Sequence, residues 1–246
     1  MTKRIVQWML LLGCTLGVSV QGATIAWTNR TGGTFSDSIN WASGVTPGLL
    51  DLAHFTNNSS YTVNLTGNAT VHEGRLDADG SVVTINLGGY TWTATNAFYV
   101  SGGSFGGRTS TALVTNGIMT TRALQLGAVA SSSAGYLTLR NVSNNVTGSG
   151  GMAVGITGTG SVTLAGSQAM IYATGGGTHL IGQNAGAVGE IVVSNGLLNL
   201  NSAINVGHSG KGTLVLDNGT NIIASTLTIG SLAGSEGRVN MTGDGA

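Results

Sequence analysis

Hydrophobic and polar residues alternate in short blocks that recur along the second half of the chain. Each block begins at a small residue, here termed the anchor, and successive anchors are 23 to 29 residues apart. The anchors are Ser110, Gly135, Gly160, Gly189, Gly212 and Gly237. The residues two and four places after every anchor are apolar, as in Val162 and Leu164. Because the intervening position is mostly polar, the period of two predicts a β-strand with one buried face.

The sixth position after each anchor holds only Asn or Gly. This corner column comprises Asn116, Asn141, Gly166, Asn195, Asn218 and Gly243. Both residue types tolerate a positive φ, so the column predicts a turn with a left-handed residue at the end of each strand. Asn side chains in stacked turns are also expected to form a hydrogen-bond ladder.

A second apolar segment ends each block directly before a glycine. These closing glycines are Gly127, Gly155, Gly182, Gly207 and Gly230. The repeating unit is therefore a strand, an Asn or Gly turn, a variable stretch, a strand and a Gly turn. It contains two or three short strands and no helix.

Units of about 25 residues predict an all-β fold, a right-handed parallel β-helix whose rungs stack about 4.8 Å apart. A β-propeller blade needs about 40 residues. A sandwich of hairpins does not explain why the same Gly and Asn columns recur in every unit. The calcium-binding β-roll is excluded, because its short Gly-Gly-x-Gly-x-Asp repeat is absent.

The pattern divides the chain into residues 1–22, a leader; 23–107, an N-terminal cap with the first irregular rungs; and 108–246, the β-helix repeats. The middle segment contains Trp27, Trp41, Trp92 and the only proline, Pro47. Bulky aromatic residues at one end predict a cap that shields the first rung from water and from edge pairing. The sequence stops nine residues after Gly237, so the repeats are expected to be truncated at the C-terminus.

The leader has the pattern of a secretory signal peptide. Two basic residues precede a short apolar run that ends in small residues, and cleavage is expected after Gly22 or Ala23. The run is shorter than the roughly 20 residues that span a bilayer. The alternative is a lipoprotein signal, because Leu11–Cys14 resembles a lipobox and would make Cys14 the lipidated first residue. These signals predict a protein that is secreted or displayed on the outer cell surface.

Composition limits the classes of partner. The chain has 42 Gly, 7% charged residues and a formal net charge of +0, so no nucleic-acid partner is expected. A hydrophobic content of 41% without net charge argues against disorder. Collagen is excluded, because glycine does not recur at every third position and only one proline is present. Glycine at the turns and short neutral side chains outside are what a solenoid requires.

The beginning of the mature chain resembles a recurring opening of large secreted bacterial proteins. The family's opening has six parts in order: a Trp, a Gly pair, an aromatic-Ser pair, an Asn-Trp pair, a Gly-x-x-Pro motif and an Asp-x-Ala-x-Phe motif. The matching stretches are Trp27, Gly32–Asp37, Asn40–Trp41, Gly44–Pro47 and Asp51–Phe55, with Phe35 where Trp is commoner. The chain is similar to autotransporter-associated β-strand repeat proteins, which often carry a PEP-CTERM sorting tail. The resemblance implies a surface-exposed passenger and says little about chemistry.

Enzymes built on a β-helix cleave polysaccharides with paired carboxylates, or with a calcium ion held by several acids. In the repeats, Glu190 and Asp217 lie in neighbouring rungs at odd positions after their anchors. Both are therefore expected on the outward face, as two solvated acids or, less favoured, as a catalytic pair. The densest acidic group is Glu73, Asp77 and Asp79, which we interpret as a solvated turn because later calcium ligands are missing.

The histidines do not form a metal pair at ligand spacing. His54 lies in the family-like opening and is interpreted as structural, and His208 lies in a Gly turn. His179 falls in an inward column, which predicts either a buried side chain with a hydrogen-bond partner or a local bulge. The Thr-x-Thr pairs do not share a column, which argues against ice binding. The sequence thus predicts no catalytic, cofactor-binding or metal-binding residue.

These observations favour a non-catalytic, exported structural or adhesive β-solenoid over an enzyme. The expected partners are extracellular glycans or neighbouring cell-surface proteins, with no membrane span once the signal is cleaved. The alternatives are a pectate-lyase-like, polysaccharide-active enzyme and a glycan-binding module without catalysis.

Overall fold

The computed structural model describes residues 22–101, 107–128, 130–223 and 225–243. The leader predicted at residues 1–22, including Cys14, lies outside the described residues except for Gly22. The described chain forms a short 3-10 helix, Ser38–Asn40, and these strands: β1 (Thr24–Ala26), β2 (Gly33–Thr34), β3 (Leu52–Phe55), β4 (Tyr61–Asn64), β5 (Ala69–Val71), β6 (Glu73–Leu76), β7 (Ser81–Asn86), β8 (Thr91–Val100), β9 (Thr109–Leu126), β10 (Ala134–Val154), β11 (Thr159–Ala165), β12 (Met170–Ala173), β13 (His179–Ile181), β14 (Val188–Ser194), β15 (Leu197–Leu200), β16 (Ile204–Val206), β17 (Lys211–Asp217), β18 (Thr220–Ile223), β19 (Leu227–Ile229) and β20 (Glu236–Thr242).

The strands stack in parallel into a three-sided coil of about eight turns. The first sheet contains β2, β4, β7, the start of β9 and of β10, β11, β14, β17 and β20. The second contains β5, the start of β8, the middle of β9 and of β10, β12, β15 and β18. The third contains β1, β3, β6, the end of β8, β9 and β10, β13, β16 and β19. The predicted parallel β-helix is confirmed, and antiparallel propeller blades are excluded.

The anchors lie opposite one another in the first sheet, as their spacing predicts. Gly160 pairs with both Gly135 and Gly189, and Gly212 pairs with both Gly189 and Gly237. The apolar residues two and four places later therefore form continuous inward columns, in which Val162, Leu164, Ile191 and Val193 are fully buried. The variable stretch of each unit is the strand of the second sheet, so every complete rung has three strands.

The corner column has the left-handed backbone that its composition predicts. The φ values are 59° at Asn116, 54° at Asn141, 57° at Asn195 and 52° at Asn218, and Gly166 has 95°. A partial side-chain ladder accompanies these turns. Asn86, Asn116 and Asn141 each donate Nδ2 to the Oδ1 of the Asn one rung earlier, at 3.1, 3.2 and 3.4 Å, beginning at Asn64. Gly166 ends this run of hydrogen bonds, because it has no side-chain amide.

The anchor is glycine for a steric reason. A Cβ atom at Gly160 would meet the backbone N of Gly155, and one at Gly212 would meet the backbone N of Gly207. The corner between the third and first sheets is thus closed by direct backbone packing of the anchor against the preceding closing glycine. At these two glycine anchors no side chain fits without moving the corner, whereas the first repeat has Ser110 at the same position.

Aromatic rings fill the first rungs. The Trp27 ring centroid lies 5.0 Å from that of Trp41, and the Phe35 centroid lies 5.1 Å from Trp41 and 5.3 Å from Trp92. Residues 40–42 cover the free edge of β1, where Thr28 N donates to Asn40 O at 2.8 Å and Ala42 N donates to Ala26 O at 2.9 Å. The aromatic cluster predicted near the N-terminus is confirmed.

The last rung leaves its inward residues open. Ile229 is 51% exposed, whereas Val206, its partner one rung earlier, is 0% exposed. Met241 is 55% exposed, whereas Leu216 at the same position of β17 is 6% exposed.

The described residues include no helix of the length and apolarity that a membrane crossing demands.

Candidate functional site

Glu190 and Asp217 both lie on the outer side of the first sheet, but they do not converge. Glu190 is in register with Thr213 and Asp217 with Ser194. The two acids are therefore separated by four positions along the strand and one rung, which places their Cα atoms about 14 Å apart. Glu190 accepts from Ser161 Oγ at 3.5 Å in the preceding rung, whereas Asp217 Oδ1 accepts from Thr242 Oγ1 at 3.1 Å in the following rung. The side chains thus engage neighbours in opposite directions.

The interpretation of Glu73, Asp77 and Asp79 as a solvated turn is wrong for the first two residues. Glu73 opens β6 and is 7% exposed, and Asp77 is 0% exposed. Asp77 directly follows β6, at the corner where later rungs carry the closing glycine. Only Asp79 is exposed as expected. The burial follows from stacking between rungs, which local sequence does not reveal.

The buried Asp77 carboxylate is paired with His54. His54 Nε2 lies 2.9 Å from Asp77 Oδ2, and Arg108 Nη1 donates to the backbone oxygen of Asp77 at 2.9 Å. His54 stands one rung before Asp77, so the contact joins two rungs. The structural interpretation of His54 agrees with this geometry.

A second charged group lies beside this pair on the third sheet. Arg75 Nη2 contacts Glu73 Oε1 at 2.5 Å, and Asn96 Nδ2 donates to Glu73 Oε2 at 3.3 Å. The Arg75 guanidinium lies 5.3 Å from the centre of the Tyr99 ring. Burial raises the pKa of Tyr99, the negative charge of Glu73 raises it further, and Arg75 opposes the increase. Each charge is thus engaged by its neighbours, which is the arrangement of a structural network.

The remaining histidines occupy different environments. His179 is fully buried in the inward column of the third sheet and has two hydrogen-bond partners, as one of the sequence alternatives predicts. His208 lies after β16, where its Nδ1 is 3.3 Å from Asn205 Nδ2. Within the part of the chain that the structure describes, His, Asp and Glu side chains do not gather in a group of three or more that could hold a metal ion.

Two surface clefts were not foreseen from the sequence. One, of about 300 Å³, lies at the N-terminal end between β5 and the loops that carry Phe35 and Pro47. The other, of about 610 Å³, lies at the last rung beside Lys211, Glu236 and Arg238. Both depend on chain segments that are distant in sequence, so no local motif marks them.

Comparison with protein-family models, curated proteins and solved structures finds no significant match for this chain.

Proposed function

We propose that this chain is an exported, non-catalytic β-solenoid with a structural or adhesive role at the bacterial cell surface or in the surrounding matrix. The observation that carries the proposal is the uninterrupted stacking of the first sheet from β2 to β20. Nine stacked strands at about 4.8 Å give a stiff element about 40 Å long. Such a rod separates an interaction surface from its point of attachment.

The central outward column of the first sheet supports contact with neutral partners. The column three places after the anchors contains Leu113, Thr138, Thr163, Val192, Val215 and Asn240. These uncharged side chains in register form a strip without charge of its own, and the outward columns on either side of it contain Glu190 and Asp217. Extracellular glycans and neighbouring surface proteins are the partners that we propose.

Export is tested by expressing the full chain with its own N-terminus in a Gram-negative host. The exported protein is expected to begin at Ala23 or Thr24, as measured by intact mass. A mass that includes a lipid on Cys14 would select the lipoprotein alternative. Full-length protein found only in the cytoplasm would contradict the proposal.

Adhesion and catalysis are separated by a second experiment. Beads coated with the exported chain are expected to bind bacterial cells or extracellular matrix, without releasing sugar fragments from a panel of polysaccharides. The controls are Glu190→Ala and Asp217→Ala. Turnover that both substitutions abolish would establish the polysaccharide-active alternative and overturn the non-catalytic role.

A further inference from the structure

The cleft at the N-terminal end is bordered by a free sheet edge. β5 begins the second sheet and pairs through Ala69, Thr70 and Val71 with β8. Among the described residues no strand pairing occupies its other edge, and the cleft of about 300 Å³ lies along that edge. This volume is at the lower end of the range for small-molecule sites.

Three segments of the chain build the cleft and are tied to one another. Ser36 Oγ lies 3.2 Å from Thr66 Oγ1, and Thr46 Oγ1 donates to the backbone oxygen of Ser36 at 3.1 Å. On the third segment, Asn68 Oδ1 accepts from Thr91 N at 3.0 Å, which fixes its amide group. These bonds link residues that are 10 to 30 positions apart, so the walls are held in place without a ligand.

The lining combines an apolar floor with a neutral polar rim. Phe35, Pro47 and Leu65 form buried parts of the floor. The exposed rim carries hydroxyl groups at Ser36, Thr66 and Thr70 and the amide at Asn68. Among the described residues, no Asp, Glu, Lys, Arg or His lines the cleft. A charged ligand that enters the cleft would therefore lose its hydration and gain no opposite charge in return.

We propose that this cleft binds a neutral oligosaccharide, a proposal that rests on the adhesive role and assigns it a specific contact site. Sugar hydroxyl groups match the hydroxyl and amide groups of the rim, and the C–H face of a sugar ring matches the apolar floor. The packing of Phe35 between Trp41 and Trp92 supports a rigid floor. An extended peptide is less suitable, because β5 has three residues and offers few backbone groups for an added strand.

Gly67 lines the cleft and provides a substitution there that does not clash with the fold. A Cβ atom there meets no heavy atom within 4 Å, and the backbone is not left-handed. Gly176, an exposed glycine between β12 and β13, has the same two properties and is the matched control.

The test is a screen of neutral oligosaccharides against the full chain, followed by calorimetric titration of each one that binds. Gly67→Phe is expected to weaken binding at least tenfold, and Gly176→Phe to leave it unchanged, with both variants matching the parent in circular dichroism. Equal affinity for the parent and Gly67→Phe would overturn the cleft assignment, as would binding of an extended peptide that displaces the sugar. Failure of every neutral oligosaccharide to bind would also overturn it. Retained adhesion of the coated beads to cells would then show that the adhesive role stands without this site.

Discussion

The Nδ1 atom of His179 accepts a hydrogen bond from the backbone N–H of Met152, one rung earlier, at 3.2 Å. The proton of the neutral ring is therefore on Nε2, which lies 3.2 Å from Ser202 Oγ. Since Ser202 Oγ in turn donates to Gly177 O, the imidazole, the hydroxyl and the backbone form one partly buried chain of hydrogen bonds. A protonated ring would lose the bond from Met152.

Acid is expected to destabilise the fold through this histidine. Burial lowers the pKa of His179 from 6.5 to about 4. Between these two pH values the histidine is protonated in the unfolded chain and neutral in the folded chain. The contribution of His179 to the free energy of unfolding is fully present above pH 6.5 and is lost as the pH decreases towards 4, by about 3 kcal/mol in total. Urea unfolding at a series of pH values measures the decrease. His179→Leu should show a shallower loss over this interval, and an identical slope in both proteins would contradict the assignment.

The anchor glycines are expected to tolerate no side chain. In Gly212→Ala the new methyl group would meet the backbone N of Gly207, so the corner must shift and the free energy of unfolding should fall by about 3 kcal/mol. Gly176→Ala is the control, because its Cβ meets nothing within 4 Å. Denaturant unfolding of the two variants compares them directly. Equal stabilities would show that the corner yields easily.

The first and third sheets were predictable because the corner between them has room only for glycine in most rungs, and these glycines recur in the sequence. Gly189 and Gly182, for example, meet at one corner and admit no substitute, so both columns are visible in the sequence. The second sheet has no such marker. Its inward column contains Met119, Asn144 and Ile171 in successive rungs, and this mixture hides the alternation within strands of about four residues.

The acidic residues show where local pattern is insufficient. Asp77 and Asp79 have the same side chain and similar neighbours in sequence, yet one is 0% exposed and the other lies at the surface. The difference comes from His54 and Arg108, which lie 23 and 31 residues away. The cleft beside β5 was missed for the same reason, because its walls come together only when the rungs stack.

Substitution of a corner Asn by Ala is expected to lower the free energy of unfolding more than substitution by Gly. Asn141 has a φ of 54° and donates to Asn116. Asn141→Ala loses the hydrogen bond and strains the backbone, which should cost about 2 kcal/mol in total. Asn141→Gly loses only the exposed bond and should cost less than about 1 kcal/mol. Thermal and denaturant unfolding measure both variants, and a larger loss for Gly than for Ala would refute the backbone argument.

Removal of the buried carboxylate is expected to weaken the N-terminal rungs. Asp77→Ala leaves His54 and the surrounding polar groups without their partner, which should cost about 3 kcal/mol. Asp79→Ala serves as the comparison, since this exposed carboxylate accepts from Thr109 N at 2.9 Å and its loss should cost less than about 1 kcal/mol. Hydrogen exchange of β3 and β6 would locate the effect. Unchanged protection in Asp77→Ala would exclude a structural role for the pair.

The common register of the rungs has a consequence for how such a chain changes in evolution. From β11 to β20 each strand of the first sheet pairs with the next without a bulge. The duplication of one rung would therefore keep both of its existing junctions and add one junction between the two copies in the same register, and it would lengthen the molecule by about 4.8 Å. Length can increase by unequal recombination of the gene while every corner keeps its contacts, so the length of the solenoid is free to vary independently of the structure of its rungs.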